Sequence, residues 1–301
     1  MASSQFQQAL DIIRKESANS ADLGTSFEKL VKVFLENDAT QTQQYEKIWH
    51  YSDWAKEHPG YTQKDIGIDL VAKIRAEDSF CAIQCKFYDS ENAISKEDLD
   101  SFISASASKD FSRLLLVDTS NVGIGKNAQH VFDNLDKDYL RIQSAELENS
   151  LIDWVTYVRE DRIRLRQKHG PLPHQEQALA AVKQGFAEAD RGKLIMACGT
   201  GKTFTSLLVA QELAGKGKLV LYMVPSLSLM SQSIREWKND AVDDFTAFSA
   251  CSDKKVGNRK KDDQVIVSLH DLAFPATTDS KQLASRIRNA NPEKRAMVES
   301  W

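Results

Sequence analysis

Cysteine is scarce: Cys81, Cys85, Cys198 and Cys251 are the four in 301 residues. They are too few and too scattered for a disulfide framework or a paired C-x-x-C zinc site, and read as free thiols of a reducing compartment. No apolar run approaches the roughly 18–20 residues that span a bilayer, and the opening Met1-Ala-Ser-Ser-Gln-Phe lacks the basic and apolar regions of a signal peptide. These absences exclude a membrane protein and point to a cytoplasmic one. Internal repeats and low-complexity tracts are also missing.

What is present is an ordinary globular balance, 42% hydrophobic and 27% charged, in a chain long enough for two cores. The net charge of -4 hides an asymmetry: residues 1–170 carry 21 basic against 28 acidic side chains, and residues 171–301 carry 18 against 15. An acidic first unit repels a phosphate backbone at long range, so any action on nucleic acid requires delivery by other parts of the protein.

Apolar periodicity predicts a helix over about Gln5–Lys15 and a second through Phe27, Leu30, Val31, Phe34 and Leu35. Extended segments follow at Ile66–Ile74, Phe80–Tyr88 and Arg113–Asp118, with helices at Lys96–Ala105 and Gly125–Leu135, a strand at Tyr139–Ile142 and a helix from Ala145 to about Val158. Dense charge and the run His169-Gly-Pro-Leu-Pro173 mark a boundary. The expected organisation is residues 1–160, a linker at 161–172, and residues 173–301. In the last of these, helix Gln175–Ala189, strand Leu194–Ala197, helix Thr203–Ala214, strand Leu219–Val224 and helix Ser228–Lys238 alternate as in a parallel sheet.

The most specific motif is Cys198-Gly199-Thr200-Gly201-Lys202-Thr203. Its glycines let backbone N–H groups curl around phosphates, Lys202 reaches the terminal phosphates, and the Thr203 hydroxyl suits Mg²⁺. ATP is the implied ligand. Gly123-Ile-Gly-Lys126 imitates such a loop, but Asn127 stands where Ser or Thr is needed, so it reads as a strand-to-helix connection. No Asp-Glu-x-x motif follows Thr203 in an apolar strand, since Asp243-Asp244 and Asp262-Asp263 have polar surroundings and read as turns. The second unit is therefore expected to be an incomplete motor with little or no ATPase, and the chain a fragment of a larger protein.

In the first unit, β alternation puts Cys81, Ile83, Cys85 and Phe87 on one face and leaves Gln84 and Lys86 together on the other. Asp69 lies 15 residues before Gln84, a distance that suits a hairpin. One carboxylate, one amide oxygen and one amine so gathered can hold a divalent ion against a phosphodiester and steady the attacking hydroxide. The competing reading for Gln84 and Lys86 is a solvated strand face. Glu28, at the edge of a buried helical stripe, either adds a carboxylate or closes a capping box on Thr25, and Asp65 is either a second acidic neighbour or a turn residue.

Two resemblances follow from these residues. Lys64-Asp-Ile-Gly-Ile-Asp-Leu70 with Gln84-Cys-Lys86 resembles the Mrr-like branch of PD-(D/E)xK nucleases, which implies that Asp69 and Gln84 are metal ligands, Lys86 the catalytic lysine and Glu28 the helix carboxylate. Met196-Ala-Cys-Gly-Thr-Gly-Lys-Thr203 resembles superfamily 2 helicases, many of which lack the first loop glycine. Pro171-Leu-Pro-His-Gln175 is similar to their Q motif, implying that Gln175 reads adenine, and Leu219–Gln232 is similar to their nucleic-acid-contacting motif Ia.

Together with Val265–Val298, the order resembles the N-terminal region of type ISP restriction-modification enzymes. The resemblance implies an α/β chain: a restriction-endonuclease-like mixed-sheet domain, then a partial RecA-like parallel domain. It implies Mg²⁺-dependent cleavage of double-stranded DNA coupled to ATP-driven translocation, with methyltransferase and target-recognition domains lying beyond this chain. The alternatives are a methylation-independent defence nuclease-helicase, and a nucleotide-dependent DNA-binding module with a degenerate nuclease.

Overall fold

The computed structural model describes residues 4–75, 77–88, 94–120, 122, 124–214, 217–251, 275–289 and 295–300. One compact unit runs to Arg166 and a second begins at Gln167. The first comprises α1 (Gln5–Glu16), α2 (Ser20–Asn37), α3 (Gln41–Gln44), β1 (Tyr45–His50), α4 (Tyr51–Glu57), β2 (Leu70–Ile74), β3 (Phe80–Lys86), α5 (Asp100–Ala105), β4 (Phe111–Asp118), α6 (Lys126–Asp133), β5 (Asp138–Gln143), α7 (Ser144–Asn149) and α8 (Trp154–Glu160).

The strands form one mixed sheet in the order β1-β2-β3-β4-β5. Its first half is an antiparallel meander and its second half is parallel, with β3 shared between them. Both faces are covered, because the strands carry apolar residues at alternate positions of both parities. On one face Leu70, Ala72, Cys81, Ile83, Leu115 and Val117 meet Phe6, Leu10, Phe27, Leu30, Phe34 and Trp154 from the helices. On the other, Val71, Ala82, Leu114 and Leu116 meet Trp54, Phe102 and Phe132. Each fully buried large side chain contributes about 1.5–3 kcal/mol relative to exposure. That packing fixes where the strand ends stand.

Several boundaries differ from the sequence reading. α2 starts at Ser20, where Asn19 Oδ1 accepts the Asp22 N–H at 2.9 Å. Thr25 is therefore inside the helix and the capping-box reading of Glu28 falls. The helix expected from Ala145 to Val158 is two helices. Ser150 ends the first, and Asp153 begins the second by accepting the Thr156 N–H at 3.1 Å. The segment 66–69 leads into β2 without joining it, and β1 and α4 had no expectation at all.

The second unit holds α9 (Pro173–Glu188), α10 (Lys202–Leu213), β6 (Leu219–Met223), α11 (Leu227–Asp240), β7 (Phe245–Ala250), β8 (Ala276–Thr277), α12 (Ser280–Arg288) and β9 (Arg295–Ser300). Its sheet is parallel throughout, in the order β6-β9-β7-β8. The expected strand Leu194–Ala197 is not formed, and Leu194 and Ile195 are exposed. A strand exists only when its backbone groups find a ladder partner, and among the described residues none lies beside this segment. Asp262, Asp263 and, of 265–298, residues 265–274 and 290–294 lie outside the described residues, as does Gly123; Gly125 is the N-cap of α6, so that stretch does lead into a helix.

Of the stretch 161–172, the first part is bound to the first unit. Leu165 bridges Ile152, and the Arg166 N–H donates to Leu151 O at 2.6 Å. Lys168 instead donates to Ala241 O at 2.5 Å and the His169 N–H to Asp240 Oδ1 at 2.9 Å, closing the end of α11.

Candidate functional site

Asp69 is the residue immediately before β2, and three hydrogen bonds fix it. Its N–H donates to Ile83 O at 2.9 Å, its carbonyl accepts the Tyr51 N–H at 2.9 Å, and its Oδ2 accepts the Cys85 N–H at 2.6 Å. The approach to it depends on Gly67. With φ at +90° and the Phe102 N 2.9 Å from where a Cβ would stand, no other residue fits there. Asp65 makes the turn, its Oδ1 accepting the Gly67 N–H at 2.8 Å.

The register Leu70–Ile83 in the β2–β3 hairpin brings Asp69 beside the 83–85 stretch. Val71 and Ala82 share the second core, so the same strand alternation puts Asp69, Gln84 and Lys86 on one face. Gln84 is 3% exposed, which removes the solvated-face reading, and its Oε1 is buried with no hydrogen-bond partner. An amide oxygen left unpaired in this way costs about 1–3 kcal/mol. It is an acceptor held ready for something. Lys86, partly exposed at the end of β3, opposes protonation of Asp69 through its charge.

Glu28 comes from α2 and meets the same end of the sheet. Burial first, then the charges of Asp69 and Asp65, push its pKa up to about 7. Burial likewise pushes Asp69 up to about 6, against the opposing effects of the Cys85 N–H and Lys86. Carboxyls that resist ionisation without a counter-charge are what a cation-binding site looks like when only its protein part is counted. The donor set of carboxylate oxygens plus one orphaned amide oxygen fits a hard divalent ion such as Mg²⁺. Among the described residues, no group of three or more His, Cys, Asp or Glu is close enough to hold a metal by itself.

His50, at the end of β1, escaped the sequence reading. Its Nδ1 lies 3.9 Å from Glu28 Oε2. Burial lowers the imidazole pKa while it raises that of Glu28, so each is driven toward neutrality and the contact is not a strong ion pair at neutral pH. No spacing rule reaches His50, because it arrives through the β1–β2 pairing His50–Leu70.

In the second unit Gly199 and Gly201 have φ of +76° and +75°, and Gly201 is the N-cap of α10. This is the backbone shape by which consecutive N–H groups surround an anion at a helix start. Lys202 is exposed and Thr203 partly so. The Thr200 hydroxyl donates to Ala197 O at 2.8 Å. Gln175 is 5% exposed; its Oε1 accepts the Leu172 N–H at 2.9 Å, capping α9, and its Nε2 donates to Thr200 O at 3.2 Å, bracing the loop. A further brace went unforeseen: the Trp237 Nε1–H donates to Thr203 O at 3.0 Å, tying α11 to the first turn of α10.

Comparison with known proteins gives two domain matches. Residues 36–163 match the Mrr-type family described as restriction endonuclease, and residues 168–291 match the family described as type III restriction enzyme, res subunit. The chain is thus an Mrr-type restriction-nuclease domain with a mixed sheet, followed by a helicase-like domain. That arrangement is the one of a type ISP restriction-modification enzyme. The solved structure of the ATP-dependent type ISP restriction-modification enzyme LlaBIII bound to DNA matches 97% of this chain at 30% identity with a TM-score of 0.76. A nuclease-deletion mutant of the type ISP enzyme LlaGI in complex with a DNA substrate mimic matches 44% of the chain at 34% identity with a TM-score of 0.35. This chain spans 18% and 12% of the lengths of those two chains. No curated protein matches the sequence. Among the described residues, no helix is long and apolar enough to cross a membrane.

Proposed function

We propose that the first unit, functionally residues 1–160, hydrolyses phosphodiesters of double-stranded DNA with Mg²⁺ held by Asp69, Gln84 and Glu28. The observation that carries this reading is the gathering of Asp69, the unpartnered Gln84 Oε1 and Lys86 on one face at one end of the sheet. When bound, the ion supplies neutralisation of the phosphate oxygens and acidification of a water. The chain's own residues do the rest. Asp69, pinned by Ile83, Tyr51 and Cys85, keeps its free carboxylate oxygen aimed at one place. Lys86 carries a charge toward the pentavalent phosphorus and orients the attacking hydroxide. Glu28, whose carboxyl is held up at about 7 by burial and by the charges of Asp69 and Asp65 while no cation is present, gives up its proton when the ion it helps to hold is bound.

The second unit, functionally residues 173–301 beyond a connecting stretch at 161–172, binds ATP. Gly199–Gly201 cradle the phosphates, Lys202 pairs with the terminal ones, Thr203 serves the accompanying Mg²⁺, and Gln175 holds the loop and the adenine side of the pocket. Its role in the intact protein is ATP-driven movement on DNA that delivers the acidic nuclease unit to its substrate, alongside methyltransferase and target-recognition domains, in the cytoplasm where invading DNA arrives. LlaBIII, described as ATP-dependent and bound to DNA, supports this reading.

The test is nicking of supercoiled plasmid by the purified chain with Mg²⁺ or Mn²⁺. Slow cleavage that Asp69→Ala and Lys86→Ala abolish is expected. Cleavage unchanged in Lys86→Ala would leave a nucleotide-dependent DNA-binding module.

A further inference from the structure

We propose that Arg141 is a positioning residue for Lys86: by occupying both oxygens of Asp118, the carboxylate next to Lys86 on the neighbouring strand, it leaves the lysine ammonium to the phosphodiester. The inference deepens the nuclease reading and rests on it.

Lys86 and Asp118 are register partners in the parallel pair β3–β4. Partners on adjacent strands point to the same face with Cβ atoms about 5 Å apart, and a lysine and an aspartate so placed attract each other. None of the ion pairs among the described residues involves Lys86; the carboxylate is engaged elsewhere. Arg141 Nε donates to Asp118 Oδ2 at 2.7 Å and Arg141 Nη2 to Oδ1 at 2.9 Å. The guanidinium is in turn fixed by Ser120 Oγ at 3.1 Å and Val122 O at 3.0 Å. Asp118 is 0% and Arg141 3% exposed, so the pair is dry.

A buried ion pair is weak evidence for stability, since apolar replacement is often neutral or favourable. Here the carboxylate has a local task, because Asp118 Oδ1 accepts the Ser120 N–H at 3.0 Å and shapes the turn after β4. Given that task, the charge needs a cation; Arg141 supplies it, and Lys86, the register partner one strand over, is the other candidate. The planar fork of arginine satisfies both oxygens at once, which the single ammonium of lysine cannot do. A second carboxylate near Lys86 is handled differently. Asp98 is held by the Ser95 N–H at 2.9 Å, the Ser95 hydroxyl at 2.8 Å and the Tyr88 hydroxyl. These neutral donors stay in place whatever happens at Arg141.

The sequence carried a trace of this arrangement. Arg141 interrupts the apolar strand Tyr139-Leu-Arg-Ile142, and Asp118 ends the apolar run Leu114-Leu-Leu-Val117. A charge on each of two buried neighbouring strands has to be satisfied by something.

The experiment is plasmid cleavage with Mn²⁺ by the whole chain and its variants Lys86→Ala, Arg141→Gln, Arg141→Lys and the double variant Asp118→Asn with Arg141→Gln, with thermal melting in parallel. Arg141→Gln is expected to slow cleavage about 10- to 100-fold, the scale of a displaced catalytic group. The double variant, which has no carboxylate to capture Lys86, is expected to return to within about threefold of the parent, a coupling that a purely structural role does not produce. Arg141→Lys, which keeps a cation on Asp118, falls between them. A folded Arg141→Gln protein that cuts at the parental rate overturns the proposal. So does a folded double variant that stays slow, which decides the matter even if Arg141→Gln fails to fold. Lys86→Ala cutting normally would instead bring down the site reading beneath it.

Discussion

The two units of this chain differ in how completely they enclose themselves. In the first, strands with apolar residues of both parities are covered on both sides, and Phe27, Trp54, Phe102 and Trp154 are at most 1% exposed. In the second, the edge strand β6 shows Leu219, Leu221 and Met223 to solvent, and Ile195 is 90% exposed. A closed core can hold an acceptor such as Gln84 Oε1 unpaired, because water cannot reach it and the surrounding packing supplies the stability that the orphaned group costs. An open unit can hold a loop in shape only through local hydrogen bonds, and the glycine loop at 198–203 is built that way, from Gln175, Thr200 and Trp237. The difference separates a site defined by its core from one defined by its backbone.

The strongest way to break this comparison is to remove one group from each site. Asp69→Ala and Lys86→Ala are expected to lower Mg²⁺-dependent nicking by at least ~100-fold, with the melting temperature little changed in Lys86→Ala and more affected in Asp69→Ala, which takes the acceptor from the Cys85 N–H. Lys202→Ala should weaken binding of a fluorescent ATP analogue by roughly 100-fold, about the value of one lost charge-assisted phosphate contact. It should leave nicking by the first unit intact. If Lys202→Ala abolished nicking, or Lys86→Ala abolished nucleotide binding, the two sites would not be independent.

Next in size is the core itself. Phe27 is fully buried against Phe87, their rings edge to face at 5.5 Å. Phe27→Ala is expected to cost about 3–5 kcal/mol in urea unfolding of the first unit. The same substitution at Phe186, which is 45% exposed on α9, should cost far less.

How much of this was legible follows from what the sequence encodes locally. The spacing of Asp69, Gln84 and Lys86 and the alternation of Cys81, Ile83 and Cys85 are period-2 facts, so the hairpin and the face these three residues share could be read directly. The phosphate loop is contiguous, and its two glycines with positive φ are visible as letters. What could not be read depends on pairing at a distance. β1 has a mixed burial pattern that resembles no template, and His50 reaches the site only because β1 pairs with β2. The buried partnership of Asp118 and Arg141 joins positions 23 apart. The Leu194–Ala197 segment shows the reverse failure: apolar letters promised a strand, but a strand needs a neighbour.

Smaller effects come from the raised carboxyls. Glu28 rises from 4.5 to about 7 and Asp69 from 3.8 to about 6. Between the unfolded and folded values the native state holds protons that the unfolded chain has released. The stability from these groups is therefore fully present below about pH 4 and is lost as pH climbs through about 6 and then 7. Melting temperature should decline from about pH 4 to about pH 7, with the upper part of that decline flattened in Glu28→Gln. Millimolar Mg²⁺ should raise melting temperature at pH 8 in the parent and not in Asp69→Ala, a readout of ion binding that does not depend on cleavage. A melting temperature that climbs with pH across this range would contradict the burial of these two carboxyls.

The smallest expected effect bears most directly on the contrast between the units. Ile195→Ser removes a large apolar side chain that is 90% exposed, so its folded and unfolded states lose almost the same solvation and stability should change by no more than about 0.5 kcal/mol. Exposed apolar surface does favour association, so the variant should aggregate more slowly on heating than the parent. Light scattering during a thermal ramp separates the two quantities. A drop of several degrees in melting temperature would mean that Ile195 is covered in solution, and the second unit would then have to be counted as closed, like the first.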